Sequence, residues 1–288
     1  MRPPRPRVLA CVAGVVFLSA LAVAQSNAPR SPWKYYPDDV RANAGDGGPA
    51  PRRDLTGTWA GPNSGAGVSD GRGARAPRPD FTPLGKQLMD RMRPLGIYSP
   101  GGTNDPHSRF CDPLGVPRNM NDQLRGMTIT TVGDRTFFLL MFMNIWREVW
   151  TDGRGLPTNF GRGPDAHDPT YNGYSVGRWE DDYTFVVETT GLVPDTWVSR
   201  AGYPHSVDAR IVERFHRKSR NDMTLTMTMH DPKLYTGPFP LGDAQFRWIP
   251  NQVLYDFTCI PSLTQRYIKE MGDPAGSDPD AGRREQQR

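Results

Sequence analysis

The sequence predicts a mainly β protein built as an antiparallel up-and-down β-barrel. Two observations indicate this fold class: apolar and polar residues alternate along many short segments, and turns rich in Gly, Asp and Asn separate them. A run of about eight such strands closes most easily into a barrel, because closure removes the unpaired edges. A two-sheet β-sandwich is the alternative arrangement of the same strands.

The predicted elements follow one another with few helical patterns between them. The first strand opens at residues 54–59, and the spacing of Leu84, Leu88 and Met92 predicts a short N-terminal helix over residues 81–92. The later strands are predicted at residues 127–132, 135–143, 144–151, 174–179, 183–190, 207–217, 223–230, 245–248 and 253–259. The predicted barrel domain therefore covers residues 54–271.

Both ends of the chain differ from this domain in composition. Three arginines precede an apolar run over residues 8–23, which ends at the small-residue site Ala22-Val23-Ala24. This is the pattern of a signal peptide, predicted over residues 1–24, so the mature protein is expected in the periplasm or outside the cell. Residues 25–53 are predicted to form a flexible Pro/Arg/Gly-rich tether or a wrapping arm, and residues 272–288 a disordered tail.

Charge narrows the class of partner. The three arginines of the predicted signal peptide account for most of the net charge, which falls from +4 to +1 when they are removed. No stripe of Lys and Arg remains that would indicate a nucleic-acid surface. We expect no nucleic-acid partner and, after cleavage, no stable membrane insertion. The sequence does not indicate an oligomeric state.

The predicted mature chain contains two cysteines, Cys111 and Cys259. An even pair in an exported protein predicts a disulfide. A zinc site needs more ligands at closer spacing, and neither a CxxC nor an HExxH motif occurs. We therefore expect no metal and no cofactor.

Several charged residues fall on the same parity as apolar neighbours in predicted strands. Arg147 alternates with aliphatic residues, Glu213 lies on the apolar face of its strand, and Arg178 shares a face with Tyr174. Charges that point into a sheet core are costly unless they are paired or used. Two cations and one carboxylate aimed inward would bind a carboxylate or enolate and move a proton. The alternative is a buried structural ion-pair network.

A Gly/Pro loop leads into the strand that carries Glu213, and it contains His205. Histidine titrates near neutrality, so His205 is predicted to lie at the barrel mouth as the acid–base group, with Asp208 close enough in sequence to orient it. Trp150 and Trp179 belong to the same strands as Arg147 and Arg178, and they are predicted to bind substrate together with Tyr174 and Asp208. A loop histidine that only caps backbone groups is the alternative.

The segment of residues 223–230 has a Met/Leu face and a Thr/His face. The Met/Leu face is predicted to point inward, because period-2 alternation places the apolar set in the core. Such a face forms either a plain core or an adaptable pocket.

The motif GYSVGRWEDD at residues 173–182, flanked by DLTGTW, TWVSRAGYPHS and HDPKLY, carries a resemblance. It is similar to a largely uncharacterised group of exported soil-bacterial proteins whose central motif has the form G-H-S-V-G-R-W-E-G-D-T. The chain departs from that form at Tyr174, Asp181 and Tyr183. The resemblance implies export and transfers no chemistry. Residues 57–59, Gly-Thr-Trp, also resemble the G-x-W opening of lipocalins and other calycins, which implies a calycin-like barrel.

These observations lead to one functional expectation and two alternatives. We expect an exported small-molecule enzyme, a cofactor-independent acid–base lyase or isomerase, acting in a barrel pocket on a ligand that is apolar or aromatic and has a polar or anionic group. The alternatives are a non-catalytic carrier of such a molecule and a cell-envelope interaction protein that holds a partner or glycan. Converging inward polar groups would favour the enzyme, a large apolar cavity the carrier, and a filled barrel with an exposed aromatic patch the interaction protein.

Overall fold

The structure is a computed structural model that describes residues 45–64, 78–98, 101–121, 126–161, 163–250, 253–254 and 256–272. These residues all fall within one unit of the chain, residues 36–288. The predicted signal peptide, residues 25–44 of the predicted tether and residues 273–288 of the predicted tail lie outside the described residues.

Nine strands in the described part of the chain close into one β-barrel in sequence order, with the last strand paired to the first. They are β1 (Gly57–Ser64), β2 (Met127–Val132), β3 (Arg135–Leu140), β4 (Ile145–Trp150), β5 (Tyr174–Trp179), β6 (Thr184–Thr190), β7 (Arg210–Arg217), β8 (Asp222–His230) and β9 (Phe239–Trp248). The predicted barrel is confirmed, and the two-sheet sandwich is not the arrangement formed.

One pair of neighbouring strands departs from the predicted antiparallel pattern. β4 and β5 run parallel and meet at Trp150 and Val176, whereas the other neighbouring strands of the barrel are antiparallel. The loop over residues 151–173 returns the chain to the end of the barrel at which β4 began, so β5 starts in the same direction. The sequence of that loop has no periodic pattern, so the parallel pairing could not be predicted from it.

The barrel interior is filled by side chains of alternating residues. On β8, Met223, Leu225, Met227 and Met229 are at most 3% exposed, which confirms the predicted inner face. Inward-facing residues of the other strands, among them Phe138, Phe185, Phe215 and Phe246, join them in one hydrophobic cluster. Because these side chains occupy the interior, the Met/Leu face serves as core rather than as the lining of a large pocket.

The end of the barrel domain differs from the prediction in two places. β9 begins at Phe239, earlier than the predicted start at residue 245. Pro240 is tolerated there because the β8–β9 register shifts next to it, and a bulge needs no ladder hydrogen bond from proline. The described residues 253–254 and 256–259 do not form the predicted strand, and Phe257 makes one isolated bridge to Phe142.

Short helices cover one end of the barrel. They are α1 (Pro83–Met89), α2 (Pro106–Phe110), α3 (Arg118–Asn121) and α4 (Pro261–Tyr267), and α4 continues into a π-helical turn over Ile268–Gly272. Thr82 caps α1, which lies inside the segment predicted to be helical, by accepting a hydrogen bond from the Gly85 backbone at 3.1 Å. No helix among the described residues is both long and apolar enough to cross a membrane.

The predicted disulfide between Cys111 and Cys259 is present, with the two Cα atoms 5.5 Å apart. It joins the end of α2 to the residue that precedes Ile260, the N-cap of α4. The bond therefore fixes the C-terminal segment of residues 253–272 to the loop that precedes β2.

The described part of the predicted tether lies at the opposite end of the barrel. Backbone amides of Arg220 and Asn221 donate to carbonyls of Gly48 and Asp46 at 3.0 and 2.9 Å. Arg53 likewise donates to the Asp182 carbonyl in the β5–β6 turn at 2.6 Å. Residues 45–53 thus lie along the turns of the barrel as a wrapping arm.

Candidate functional site

The two charges predicted to point into the barrel meet in its core. Arg147 on β4 and Glu213 on β7 are 1% and 0% exposed. Arg147 Nη1 donates to Glu213 Oε1 at 2.9 Å, and Nη2 donates to Oε2. The prediction that the two residues are buried and close is confirmed, because their strands place both side chains on the inner face.

Two hydroxyl groups complete this buried network. Arg147 Nη2 donates to Thr189 Oγ1 at 2.7 Å and to Ser175 Oγ at 3.2 Å, and the two hydroxyls lie 2.9 Å apart. Nε also points to Ser175 Oγ, at 3.4 Å. Every guanidinium nitrogen therefore has a partner inside the barrel, which is what a buried charge requires. The guanidinium carbon also lies over the Phe138 ring, 5.7 Å from its centroid.

The prediction that Arg178 also points inward is wrong. Its side chain is 62% exposed and donates to Glu188 Oε1 at 2.8 Å on the outer surface. On β5 the inner positions are Ser175 and Gly177, and a Cβ at Gly177 would collide with the Phe185 ring. The alternation gave the relative parity correctly, but Tyr174, Val176 and Arg178 occupy the outer face of β5. Only a small residue fits inside at this point.

Arg178 belongs to a surface network around Glu188. Arg210 donates to the second oxygen of the same carboxylate through Nη2 and, at 3.1 Å, through Nε. Burial by itself would raise the pKa of Glu188, but the hydrogen bonds and charges of Arg178 and Arg210 outweigh it and hold the pKa below its ordinary value. This network lies outside the barrel, so it does not add a second cation to the buried pair.

His205 lies in the loop between β6 and β7, but it is 2% exposed rather than open at a barrel mouth. Its Nδ1 lies 3.1 Å from the Ser206 carbonyl, and its Nε2 lies 2.7 Å from the Thr196 hydroxyl. A carbonyl only accepts, so Nδ1 is the protonated nitrogen. Burial lowers the pKa of His205, which favours the neutral ring. The contacts are those of a histidine that fastens its loop.

Asp208 does not orient His205. Its carboxylate pairs with Lys233 and is 46% exposed, while the histidine ring is held by Ser206 and Thr196. The nearby buried carboxylate is Asp231, which accepts from the Ser206 backbone at 2.7 Å and from its hydroxyl at 2.9 Å. This bond ties the histidine loop to the segment that follows β8.

The predicted aromatic binding residues occupy separate places. Trp150 lies on the outer face of β4, where the guanidinium groups of Arg135 and Arg154 stand 4.0 and 3.4 Å from its ring centroid. Trp179 packs against the core, 5.2 Å from the Phe185 ring. The Tyr174 hydroxyl donates to a carbonyl of the preceding loop at 2.9 Å. The structure therefore does not bring these side chains together with Arg147 and Glu213 at one site.

A surface cleft that the sequence did not reveal lies beside the β3–β4 hairpin. Its volume is about 350 Å³. Six apolar residues and two polar ones line it: Leu139, Leu140, Met141, Ile145, Trp146, Leu254, Asn144 and Asp256. Trp146 is 68% exposed, and Asn144 Nδ2 donates to Asp256 Oδ1. The cleft thus combines an apolar wall, an accessible indole and one carboxylate.

The cleft is formed by segments more than a hundred residues apart. Met143 and Asn144 have φ of 66° and 50°, and this left-handed pair turns the hairpin. The Met143 amide donates to the Phe257 carbonyl at 2.6 Å, and the Cys259 amide points to Met143 Sδ at 3.2 Å. In the sequence, the one indication of this cleft is Trp146, which alternates with the inward-facing residues of β4 and therefore faces outward.

A second buried ion pair, also missed from the sequence, holds the covered end of the barrel. Arg118 donates to both oxygens of Asp105 at 2.7 and 2.8 Å, and both side chains are 2% exposed. Burial opposes ionisation of Asp105, but the bonds and charge of Arg118 outweigh it, so its pKa lies below the ordinary value. Asp105 also caps α2 through the His107 amide. These residues lie in a Pro-rich segment without apolar–polar alternation, so the sequence pattern could not show that their side chains are buried.

Comparisons with known proteins add no assignment: no protein-family model, no curated protein and no solved structure matches the chain. Within the described residues, no group of three or more His, Cys, Asp or Glu side chains is placed to hold a metal ion.

Proposed function

We propose that this protein is an exported, non-catalytic carrier that binds a small apolar or aromatic molecule in the cleft beside the β3–β4 hairpin. One observation carries the proposal, namely an apolar cleft of about 350 Å³ that contains the accessible Trp146. Small-molecule sites typically have volumes of about 300–1,000 Å³, mostly apolar walls and a few polar groups that orient the ligand.

Among the described residues the packed barrel interior has no large apolar cavity, so the proposed carrier site lies on the outside of the barrel. A filled barrel with an exposed aromatic patch was expected of an interaction protein. The surface cleft favours a small molecule instead, because its mostly apolar walls form a concavity of about 350 Å³. The inner side chains of the strands form one buried cluster, so a ligand in the interior would have to displace packed core residues. The walls of the cleft, in contrast, are held in place by the hydrogen bond from Met143 to Phe257 and by the disulfide at Cys259. A wall that is already ordered loses little conformational freedom when a ligand binds.

The polar side of the cleft favours a particular ligand chemistry. Among the described residues that line the cleft, Asp256 is the one carboxylate and none is cationic. A carboxylate repels an anionic ligand and accepts hydrogen bonds from a donor or a cation. We therefore propose an aromatic or aliphatic ligand with an amine or another donor group. Of the polar or anionic group expected from the sequence, this keeps the polar form and drops the anionic one.

An acid–base enzyme has less support. A catalytic acid or base must come within hydrogen-bond reach of its substrate, whereas Arg147, Glu213 and His205 are 1%, 0% and 2% exposed. Each of the three is bound to partners inside the protein. These contacts favour the two structural alternatives, a buried ion-pair network for Arg147 and Glu213 and a loop-fastening role for His205.

A matched pair of probes tests the carrier proposal. The protein is titrated with 2-phenylethylamine, which is cationic, and with 3-phenylpropionate, which is anionic, and binding is followed by tryptophan fluorescence and calorimetry. We expect the amine to bind more tightly, Trp146→Ala to abolish binding, and Asp256→Asn to remove the preference. Val132→Ala, which changes another exposed apolar side chain (62%), serves as the control. The proposal fails if neither probe binds, or if Trp146→Ala binds as well as the unchanged protein.

A further inference from the structure

One wall of the cleft belongs to a segment outside the strand ladder of the barrel. Leu254 and Asp256 line the cleft, and no strand forms among the described residues of the segment 253–259. Just past β9, the Ile249 amide still donates to the Thr58 carbonyl at 2.8 Å. The wall that follows is therefore positioned by individual contacts instead of by pairing along a strand.

The disulfide is the covalent contact among those that position this wall. The Met143 amide donates to the Phe257 carbonyl at 2.6 Å, and the Cys259 amide points to Met143 Sδ at 3.2 Å. Cys259 is also bonded to Cys111. Single hydrogen bonds exchange with water at little net cost, whereas a disulfide persists until it is reduced. The wall is therefore held most firmly at Cys259, close in sequence to Asp256.

The disulfide joins elements that cover the barrel, not strands of the barrel. Cys111 is the C-cap of α2, and Cys259 precedes Ile260, the N-cap of α4. Breaking the bond leaves the pairing of the nine described strands in place. α4 also keeps its own contact with the protein through Ile268, which is buried. Reduction should therefore loosen this segment locally, as the least stable unit of a fold opens first, without unfolding the barrel.

The two sulfur atoms are placed for attack at Cys259. Cys111 is buried, whereas Cys259 is partly exposed, and thiol–disulfide exchange needs access to the sulfur that is attacked. Thr264 Oγ1 lies 3.2 Å from Cys111 Sγ. When an outside thiolate attacks Cys259, this hydroxyl can donate to the Cys111 thiolate that leaves, and a stabilised thiolate leaves faster.

We propose that the Cys111–Cys259 disulfide is a redox latch on the cleft, which holds the ligand in the oxidised protein and releases it when a dithiol reduces the bond. This inference rests on the proposed carrier function. With the latch open, Leu254 and Asp256 lose their fixed positions. The apparent affinity for the ligand then falls with the fraction of molecules whose wall is in place.

The exchange with the dithiol proceeds in two steps. One thiolate of the dithiol bonds to Cys259 Sγ, and the electron pair of the broken S–S bond passes to Cys111 Sγ, which takes up a proton. The second thiol of the dithiol then displaces Cys259 as a thiolate, which is protonated in turn. The dithiol ends as a disulfide, and both cysteines end as thiols.

Calorimetric binding of 2-phenylethylamine tests the latch. The full mature chain is titrated in the oxidised form and after reduction by dithiothreitol, beside the double variant Cys111→Ser with Cys259→Ser. We expect the reduced protein and the double variant to bind the amine about ten-fold more weakly, the loss that follows when the wall is in place in about a tenth of the molecules. Dithiothreitol should not change binding by the double variant, which controls for effects of the reductant itself.

Hydrogen exchange on the same samples tests the latch without a ligand. Reduction should raise the exchange rates of residues 253–272 about ten-fold, while the amides of β8 keep theirs. The latch is overturned if oxidised and reduced protein bind the amine equally, if exchange in this segment is unchanged, or if circular dichroism shows that reduction unfolds the barrel. Should the oxidised protein not bind the amine, the carrier proposal fails by itself, and the exchange result alone decides whether the disulfide latches the wall.

Discussion

Replacing Glu213 by glutamine keeps the size of the side chain but removes the charge that faces the buried Arg147. A glutamine oxygen can still accept from Nη1, while its amide group would place donors against Nη2. The guanidinium is 1% exposed and cannot turn to water. Removing one partner of such a pair costs about 3–5 kcal/mol, because the remaining charge stays buried without compensation. We therefore expect Glu213→Gln to lower the free energy of unfolding by about 3 kcal/mol.

Removing both charges should cost much less than the sum of the single changes. In the double variant Arg147→Met with Glu213→Leu, no uncompensated charge remains, and the hydroxyls of Ser175 and Thr189 still bind each other at 2.9 Å. Hydrophobic replacement of a whole buried pair is often neutral or stabilising by about 1–4 kcal/mol. The double-mutant cycle, closed with the single variants Arg147→Met and Glu213→Leu, should therefore give a coupling energy of at least about 2 kcal/mol.

The measurement is urea unfolding of the oxidised protein, followed by tryptophan fluorescence and circular dichroism. A shifted midpoint with an unchanged m-value reports stability alone. The matched control is Arg178→Gln, which breaks an exposed pair with Glu188 and should change stability by less than about 1 kcal/mol. A loss below about 1 kcal/mol for Glu213→Gln, or additive single changes, would refute the argument that this pair is a closed structural unit.

Three further predictions follow from the contacts described above. Cys111→Ser should lower the free energy of unfolding by about 4–5 kcal/mol in the chain-entropy model, because the disulfide joins residues 148 positions apart. Cys259→Ser and the double variant should lower it by the same amount. A smaller loss in the double variant would contradict the assignment of the effect to the disulfide. Burial lowers the pKa of His205 below 6.5, so on acidification the unfolded chain takes up the His205 proton before the folded protein does. The free energy of unfolding should therefore fall as the pH drops below about 6.5, by up to about 1.4 kcal/mol per pH unit, until the pKa of the folded state is reached. His205→Gln should flatten that slope in pH-dependent urea unfolding, and an unchanged slope would contradict the assignment. Gly177→Ala should cost about 1–3 kcal/mol, because its Cβ would meet the Phe185 ring and lie 2.8 Å from Val149 Cγ1; an unchanged melting temperature would show that β5 can shift.

Alternation alone was sufficient to predict which residues of a strand share a face. It placed Glu213 with Ile211 and Phe215, and the structure buries all three at 0% exposure. A lone carboxylate in such a core must have a cation, which is why Arg147 on another strand could be predicted as its partner. The disulfide was predictable for a related reason, since Cys111 and Cys259 are the two cysteines of the predicted mature chain.

The same alternation does not say which face of a strand is the inner one. For β5 it grouped Arg178 with Tyr174, and both lie on the outer face, because Phe185 of the next strand leaves room only for glycine at position 177. That limit is set by packing between strands and has no trace in the residues of β5 alone.

The sequence by itself therefore determined the β-barrel, the disulfide and the inward pairing of Arg147 with Glu213. These features depend on period-2 alternation and on the cost of leaving a charge or thiol unpartnered, both of which can be read locally. Only the tertiary structure decided the parallel contact of β4 with β5, the burial of His205 against Thr196, and the cleft that Trp146 and Asp256 both line. Each of these joins segments that are distant in the chain or connected by loops without a period, so their positions follow from how the whole barrel closes.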